Sequence, residues 1–241
     1  MTILCIETST SVCSAAVCEN GSLIKQCISL EGSNHARLLP RYIEELLSFA
    51  REQGLCIDAV ALSEGPGSYT GLRIGTSTAK GLCYGLNVPL IPISTMDVLC
   101  EAARQRLEVS GERIEDAILV PMIDARRMEV YTAVYDGKEA NGERRMAKAV
   151  VVENEDSLMS EGKHVYYFGD GAEKCSKVFT KPNWHYIPGI VPEAQYVGVL
   201  AENIINHKSE IINDRQVNLA YYEPYYLKEF VAAQSHVKGL A

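Results

Sequence analysis

The sequence predicts an α/β fold of two similar halves, each running strand, strand, strand, helix, strand, helix. Three observations predict it. Residues 2–29 hold three short apolar runs separated by polar turns. Two helical patterns, at about 35–51 and 68–86, alternate with strand-length apolar runs at 59–62 and 88–93. The opening run Ile3-Leu4-Cys5-Ile6-Glu7 also has a second version, Val120-Pro121-Met122-Ile123-Asp124, and at the same offset Ala133-Val134-Tyr135-Asp136 matches Ala16-Val17-Cys18-Glu19. An internal repeat of this kind predicts two halves built alike.

The elements follow in order. Ile3 to Ile6 is continuously apolar, as a strand buried on both faces should be. Cys13 to Cys18 and Leu23 to Ser29 flank Asn20-Gly21, a two-residue hairpin signal. Ser33 or Asn34 can cap a helix from His35 to Arg51, with Leu38, Leu39, Tyr42, Ile43, Leu46, Leu47 and Ala50 on one wide stripe. Pro40 should kink that helix or mark its true first turn. The run 59–62 is a buried strand stopped by Gly65-Pro66-Gly67. Ser68 or Thr70 can cap the next helix, whose interior is Leu72, Ile74, Ala79, Leu82, Cys83 and Leu86. Gly71, Gly75, Gly81 and Gly85 weaken it by about 1 kcal/mol each against Ala. Gly71/Gly75 and Gly81/Gly85 are i,i+4 pairs, so each pair bares one helix face to a close neighbour.

A strand at 88–93, a helix at 95–107 and a charged loop at 110–116 place a domain boundary at 108/109. The second half, 109–241, is read as strands at 120–124, 129–136, 146–152 and 164–168, helices near 171–180 and 193–207, a polar loop at 208–220 and the tyrosine cluster at 221–227. The 221–241 tail is expected to pack back on the first domain.

Bulk properties narrow the function. The chain has 241 residues, 47% hydrophobic and 22% charged, as an ordinary soluble globular protein does. A net charge of −8 excludes a self-sufficient nucleic-acid binder but leaves a local basic patch open. The eight cysteines include no CxxC pair, and Cys5, Cys13, Cys18, Cys27 and Cys83 fall in apolar patterns. They read as reduced, buried thiols of a cytoplasmic protein. No apolar run approaches the roughly 20 residues of a membrane helix.

Three strands, helix, strand, helix and strand, with a second copy, describe the two-domain actin-like nucleotidase architecture. There a turn after the first strand grips phosphate, and Glu7-Thr8-Ser9 stands at that place. Glu7, Asp124 and Asp170 can form an acidic site around Mg-ATP, with Gly169-Asp170 as a phosphate-contacting turn. Strand-end acids also serve as plain ligands to backbone amides. There is no GxSxG elbow and no P-loop.

Four motifs occur in order along the first half: ILCIETST at 3–10, HARLLPRYIEELL at 35–47, SEGPGSYTGLRIGTSTAKGL at 63–82 and VPLIPIST at 88–95. By them the chain resembles the TsaB (YeaZ) family, the non-catalytic partner subunits in bacterial biosynthesis of threonylcarbamoyladenosine in tRNA. PMIDARRMEVYTAVY at 121–135, GDGAEK at 169–174 and EPYYLKE at 223–229 add to the resemblance. The resemblance implies a scaffold that has no activity alone and binds a catalytic TsaD-type paralogue. It also implies a TsaE-type ATPase in the assembly, tRNA held through the complex, and a homodimer when alone. ATP or ADP with Mg at the partner interface is the cofactor such an assembly would carry. The catalytic sister group holds a metal with His-x-x-x-His after the strand equivalent to 88–93. Those positions are Thr95 and Leu99 here, which cannot do so. His35 has no histidine partner at Leu39. In the family the first domain's two helices form the contact, so Leu39, Tyr42, Ile43, Leu46, Gly71, Leu72, Gly75 and Ala79 are the expected seam, with Arg73 beside it for a carboxylate or phosphate. The rival reading is an actin-like ATPase or phosphotransferase using the strand-end acids. A metal-dependent peptidase stands third.

Overall fold

A computed structural model describes residues 1–32, 34–112, 114, 116–137, 146–158, 163–207 and 217–228. The expected cap Ser33, most of the expected loop at 208–220, and the tail beyond 228 lie outside the described residues.

The first half opens with β1 (Thr2–Glu7), β2 (Cys13–Glu19) and β3 (Ser22–Ser29), an antiparallel meander. Asn20 and Gly21 both have positive φ, 49° and 75°, as a two-residue hairpin turn requires. Helix α1 (His35–Glu52) follows, and Pro40 sits inside it without ending it. Asn34 is its N-cap by position, but its side chain makes no capping hydrogen bond. Then come β4 (Ala59–Gly65), α2 (Tyr69–Leu86), β5 (Leu90–Ser94) and α3 (Thr95–Val109). The Ser68 hydroxyl caps α2 by accepting from Gly71 N at 3.3 Å.

The second half holds β6 (Ala117–Asp124), β7 (Glu129–Thr132), β8 (Tyr135–Asp136), β9 (Lys148–Val151), β10 (His164–Phe168), α4 (Ala172–Cys175), β11 (Trp184–Ile187) and α5 (Ala194–His207). The first sheet is ordered β3-β2-β1-β4-β5, and the second, read from its β9 edge, β9-β7-β6-β10-β11. Antiparallel and parallel pairings fall at the same places in both. This is the duplicated actin-like fold, and Glu7 and Asp124 end equivalent strands.

Four details differ from expectation. Glu7 pairs with Ser14 and Asp124 with Val130, so the second hairpin turn is one residue shorter and the common offset fails after the first strand. The expected strand 129–136 is broken into β7 and β8. The expected helix 171–180 is a single turn. Strand β11, unread in the sequence, adds to β10. Where α1 stands in the first half, the described part of the second has only a 3₁₀ turn at Glu155–Ser157. Among the described residues an outer layer of two long helices therefore belongs to the first half alone.

Helices α3 and α5 fill the layer between the sheets. Met96, Leu99, Cys100 and Ala103 of α3 share a core with Leu119, Ile123 and Phe168 of the second sheet. Ala194, Val197, Leu200 and Ala201 of α5 pack on Ile3, Cys5, Ala16 and Cys18 of the first. Gly198 makes this approach possible, since a Cβ there would lie 2.4 Å from Cys18 Sγ. The start of α5 is pinned by Ala194 N donating to Ser14 Oγ (2.9 Å) and Gln195 N donating to Gln26 Oε1 (2.9 Å). Residues 217–228 then strap both halves. Val217, Leu219 and Tyr222 pack on the α1/α2 side of the first sheet, and Tyr225 and Leu227 on the second half's core. Among the described residues no helix is long and apolar enough to cross a membrane. All eight cysteines are unbridged, and burial pushes the Cys13 and Cys83 thiols up to about 11, where they are inert.

Candidate functional site

Glu7, Thr8 and Ser9 are fully buried. Helix α2 comes down on this turn through a glycine face. A Cβ at Gly67 would lie 2.2 Å from Ser9 O, one at Gly71 2.0 Å from Thr8 O, and one at Gly75 2.3 Å from Thr8 Oγ1. The polar groups are spent internally. Thr8 Oγ1 donates to Gly71 O (2.9 Å), Ser9 Oγ to Glu7 Oε1 (2.6 Å), and Ser68 N to Ser9 O (2.6 Å). The expectation that Glu7, Thr8 and Ser9 grip phosphate is therefore corrected: a ligand would have to displace a packed helix.

Among the described residues Glu7 Oε2 has no hydrogen-bond partner. Burial holds the Glu7 carboxyl above its usual range, against the opposing hydrogen bonds that Oε1 accepts from the Ser9 amide and hydroxyl. The native chain thus keeps a proton that the unfolded chain releases. That contribution is full below the ordinary glutamate value of about 4.3 and is lost as pH rises through the raised native value. Glu7→Gln should remove it, so the variant's urea midpoint should gain on wild type as pH rises through this window. A gap that narrows with rising pH would refute the assignment.

The second half's turn is open. Asp124 is exposed, and its amide donates to Asp170 Oδ1 at 3.0 Å. Asp124 Oδ1 accepts from Arg126 N (3.1 Å) and pairs with the Lys174 ammonium, which also donates to Glu129 O (2.6 Å). Burial, with the Asp124 charge adding to it, raises the Asp170 carboxyl above its usual range. Gly169 has φ +101°, and a Cβ there would lie 2.3 Å from Met122 O, which is what lets the ends of β6 and β10 meet. The structure thus brings Asp124, Gly169 and Asp170 together, as expected. Lys174, the last residue of the GDGAEK motif, joins these acids, so this turn gathers two carboxylates and one ammonium.

The expected seam is also corrected. Leu39, Leu46, Leu72 and Ala79 are at most 1% exposed, inside the chain's own core, and Ile43 is buried with them. Tyr42 is half-buried, and Gly71 and Gly75 face Thr8. The outer ridge presents other residues of the same helices. Gly81 and Gly85 have nothing within 4 Å of a Cβ, Tyr84 is 87% exposed, and Ile74 and Leu82 of the same helix and Leu38 of α1 are half-buried. Ten residues at about 100° each turn Gly81/Gly85 away from the Gly71/Gly75 face. Replacing both outer glycines by Ala should stabilise the chain by up to about 1 kcal/mol each, read by urea unfolding.

Thr95 is fully buried with Ser63 Oγ 2.9 Å from its hydroxyl, and Leu99 is core. His35 is buried, its Nε2 3.0 Å from Val12 O, a structural role. Among the described residues Arg73 donates to Tyr69 Oη (2.9 Å) and lies over that ring, which packs on Tyr226. The strap closes over this corner. Tyr225 N donates to Glu64 O (2.8 Å), Tyr222 Oη to Glu64 Oε2 (3.3 Å), and Lys80 Nζ to Tyr222 O (3.1 Å).

Comparison with known proteins adds to this geometry. Residues 29–234 match the family model described as TsaD, tRNA N6-adenosine threonylcarbamoyltransferase. The chain is 27% identical to the tRNA threonylcarbamoyladenosine biosynthesis protein TsaB of Haemophilus influenzae, over 96% of this chain and 95% of that one. It is 32% identical to the protein of the same name from Bacillus subtilis, where the match spans 57% of this chain and 56% of the relative. The solved structure of YeaZ from Pseudomonas aeruginosa superimposes with a TM-score of 0.71 at 25% identity, covering 94% of this chain and 99% of that one.

Proposed function

The chain belongs to the family described by that model, and within it to the TsaB (YeaZ) type; on that premise we propose that it takes part in making threonylcarbamoyladenosine in tRNA as a non-catalytic, activating subunit. It docks a TsaD-type paralogue through the outer ridge of α1 and α2, and pairs with a second copy of itself when alone. The observation that carries the reading is that ridge. Two long helices cover one half only, and the second of them turns outward a stretch with Gly81, Gly85 and exposed Tyr84. Bare glycines let a partner helix approach closely, and an exposed tyrosine is an apt interface anchor. The positions where the sister group carries its metal histidines support the non-catalytic half, since Thr95 is tied to Ser63 and Leu99 is locked in the core. tRNA and a TsaE-type ATPase join through the partner.

The test is a pull-down of the tagged full chain from its own cell's lysate, with retained proteins identified by mass spectrometry. Retention of a TsaD-type paralogue is the expected result. Self-association alone, with ATP turnover by the pure chain that Asp124→Ala abolishes, would overturn the reading in favour of an actin-like phosphotransferase.

A further inference from the structure

We infer that the turn between β6 and β7 is a contact for the phosphate backbone of RNA, made by Arg126 and Arg127. This rests on the reading above, in which the substrate is a tRNA.

The first argument is backbone conformation. Arg126 has φ 72° and Arg127 φ 49°, two successive long side chains in the left-handed region that Gly and Asn occupy most easily. Asn-Gly would make such a turn with less strain, as Asn20-Gly21 does between β2 and β3. Backbone strain of this kind concentrates where side chains have work at a site.

The second argument is charge. The acids at the base of the turn already have cations: Asp124 pairs with Lys174, and Glu129 with Lys228 at 2.5 Å. Both arginines are exposed, and among the described residues neither guanidinium has a hydrogen-bond or ion-pair partner. A chain of net charge −8 therefore projects two uncompensated guanidinium groups from one hairpin tip. The guanidinium fork matches phosphate oxygens in a way an ammonium does not.

The third argument selects the ligand. A small nucleotide is held in a concave site that surrounds it. An exposed hairpin tip instead suits an extended polyanion whose phosphates position it without reading sequence. The acidic remainder of the chain keeps this contact secondary to the partner's.

The experiment measures binding of a labelled stem-loop RNA by fluorescence anisotropy over a salt series, with the full chain and its captured complex. The variants are the double substitutions Arg126→Asn with Arg127→Gly, and Arg126→Lys with Arg127→Lys. The Asn/Gly variant should melt at a higher temperature yet bind RNA about tenfold more weakly, whatever the RNA sequence. Its slope of log affinity against log salt should be shallower by about 1.4 to 1.8, the value for two lost phosphate contacts. The Lys/Lys variant should keep most of that slope. The inference fails if the Asn/Gly variant melts lower, if RNA affinity and slope do not change, or if ATP displaces the arginine-dependent binding. Retention of the TsaD-type paralogue is followed in the same preparations. A variant that keeps the paralogue with unchanged RNA binding rejects this inference alone, whereas a wild-type chain that captures none rejects the reading beneath it.

Discussion

Gly71→Val should strongly destabilise the fold itself, not merely damage an interface of an otherwise wild-type monomer. A Cβ at Gly71 would sit 2.0 Å from the Thr8 carbonyl oxygen, and at Gly75 2.3 Å from Thr8 Oγ1. The Thr8 carbonyl is backbone directly after β1, a strand at most 4% exposed along its length and paired on both sides, so it has nowhere to go. Thr8 Oγ1 is itself bonded to Gly71 O at 2.9 Å. Relief would mean lifting the start of α2 off the first sheet, exposing Leu72, Ala79 and Cys83. Overpacking of this severity, with no flexible side chain to move, is expected to cost about 3 kcal/mol or more, against a total stability of about 5–15 kcal/mol. The matched control is Gly81→Val, where the added side chain meets nothing and the midpoint should move by less than about 1 kcal/mol. Urea unfolding of both variants decides the matter. Equal midpoints for Gly71→Val and wild type would mean that α2 does not rest on the turn after β1.

Gly85→Arg should have the opposite signature. The position is exposed and unobstructed, so circular dichroism and the unfolding midpoint should match wild type. Capture of the TsaD-type paralogue should fall by about 30-fold or more, because a long charged side chain would then stand in the seam where the helices must approach. Tyr84→Ala should weaken capture without unfolding the chain, since its ring is almost wholly outside. Isothermal titration with the purified paralogue measures both. Affinities unchanged in both variants would move the docking surface off this ridge. On the proposed docking mode, Gly71/Gly75 should govern folding and Gly81/Gly85 association.

The two halves have diverged in a way that bears on chemistry. In the first, α2 seals the turn after β1 and leaves Glu7 as a buried carboxyl that burial holds above its usual range. In the second, α4 is a single turn, the turn after β6 stays open, and Asp124, Asp170 and Lys174 gather there.

Local sequence was enough for the order of elements in the first half. Period-two and period-3.6 patterning, Asn20-Gly21 and the Ser68 cap act over a few residues, so their outcome could be read directly. The repeat was also legible, because Ile3–Glu7 and Val120–Asp124 each code for a buried strand ending in an acid. Tertiary structure decided what depends on distant partners. Periodicity states that Gly71/Gly75 and Gly81/Gly85 lie on different faces, but only packing against Thr8 decides which face turns inward. Nothing local in Ala194–His207 says that α5 closes the back of the first sheet, since that choice rests on Ser14, Gln26 and the room left at Gly198. Strand β11 was missed because Trp184–Ile187 is a short edge segment whose strand form comes from pairing with β10. The helix expected at 171–180 stops after Cys175, and the chain goes on in turns closed on the Cys175 carbonyl that set Val178 and Phe179 against the second half's core, a contact between residues distant in sequence.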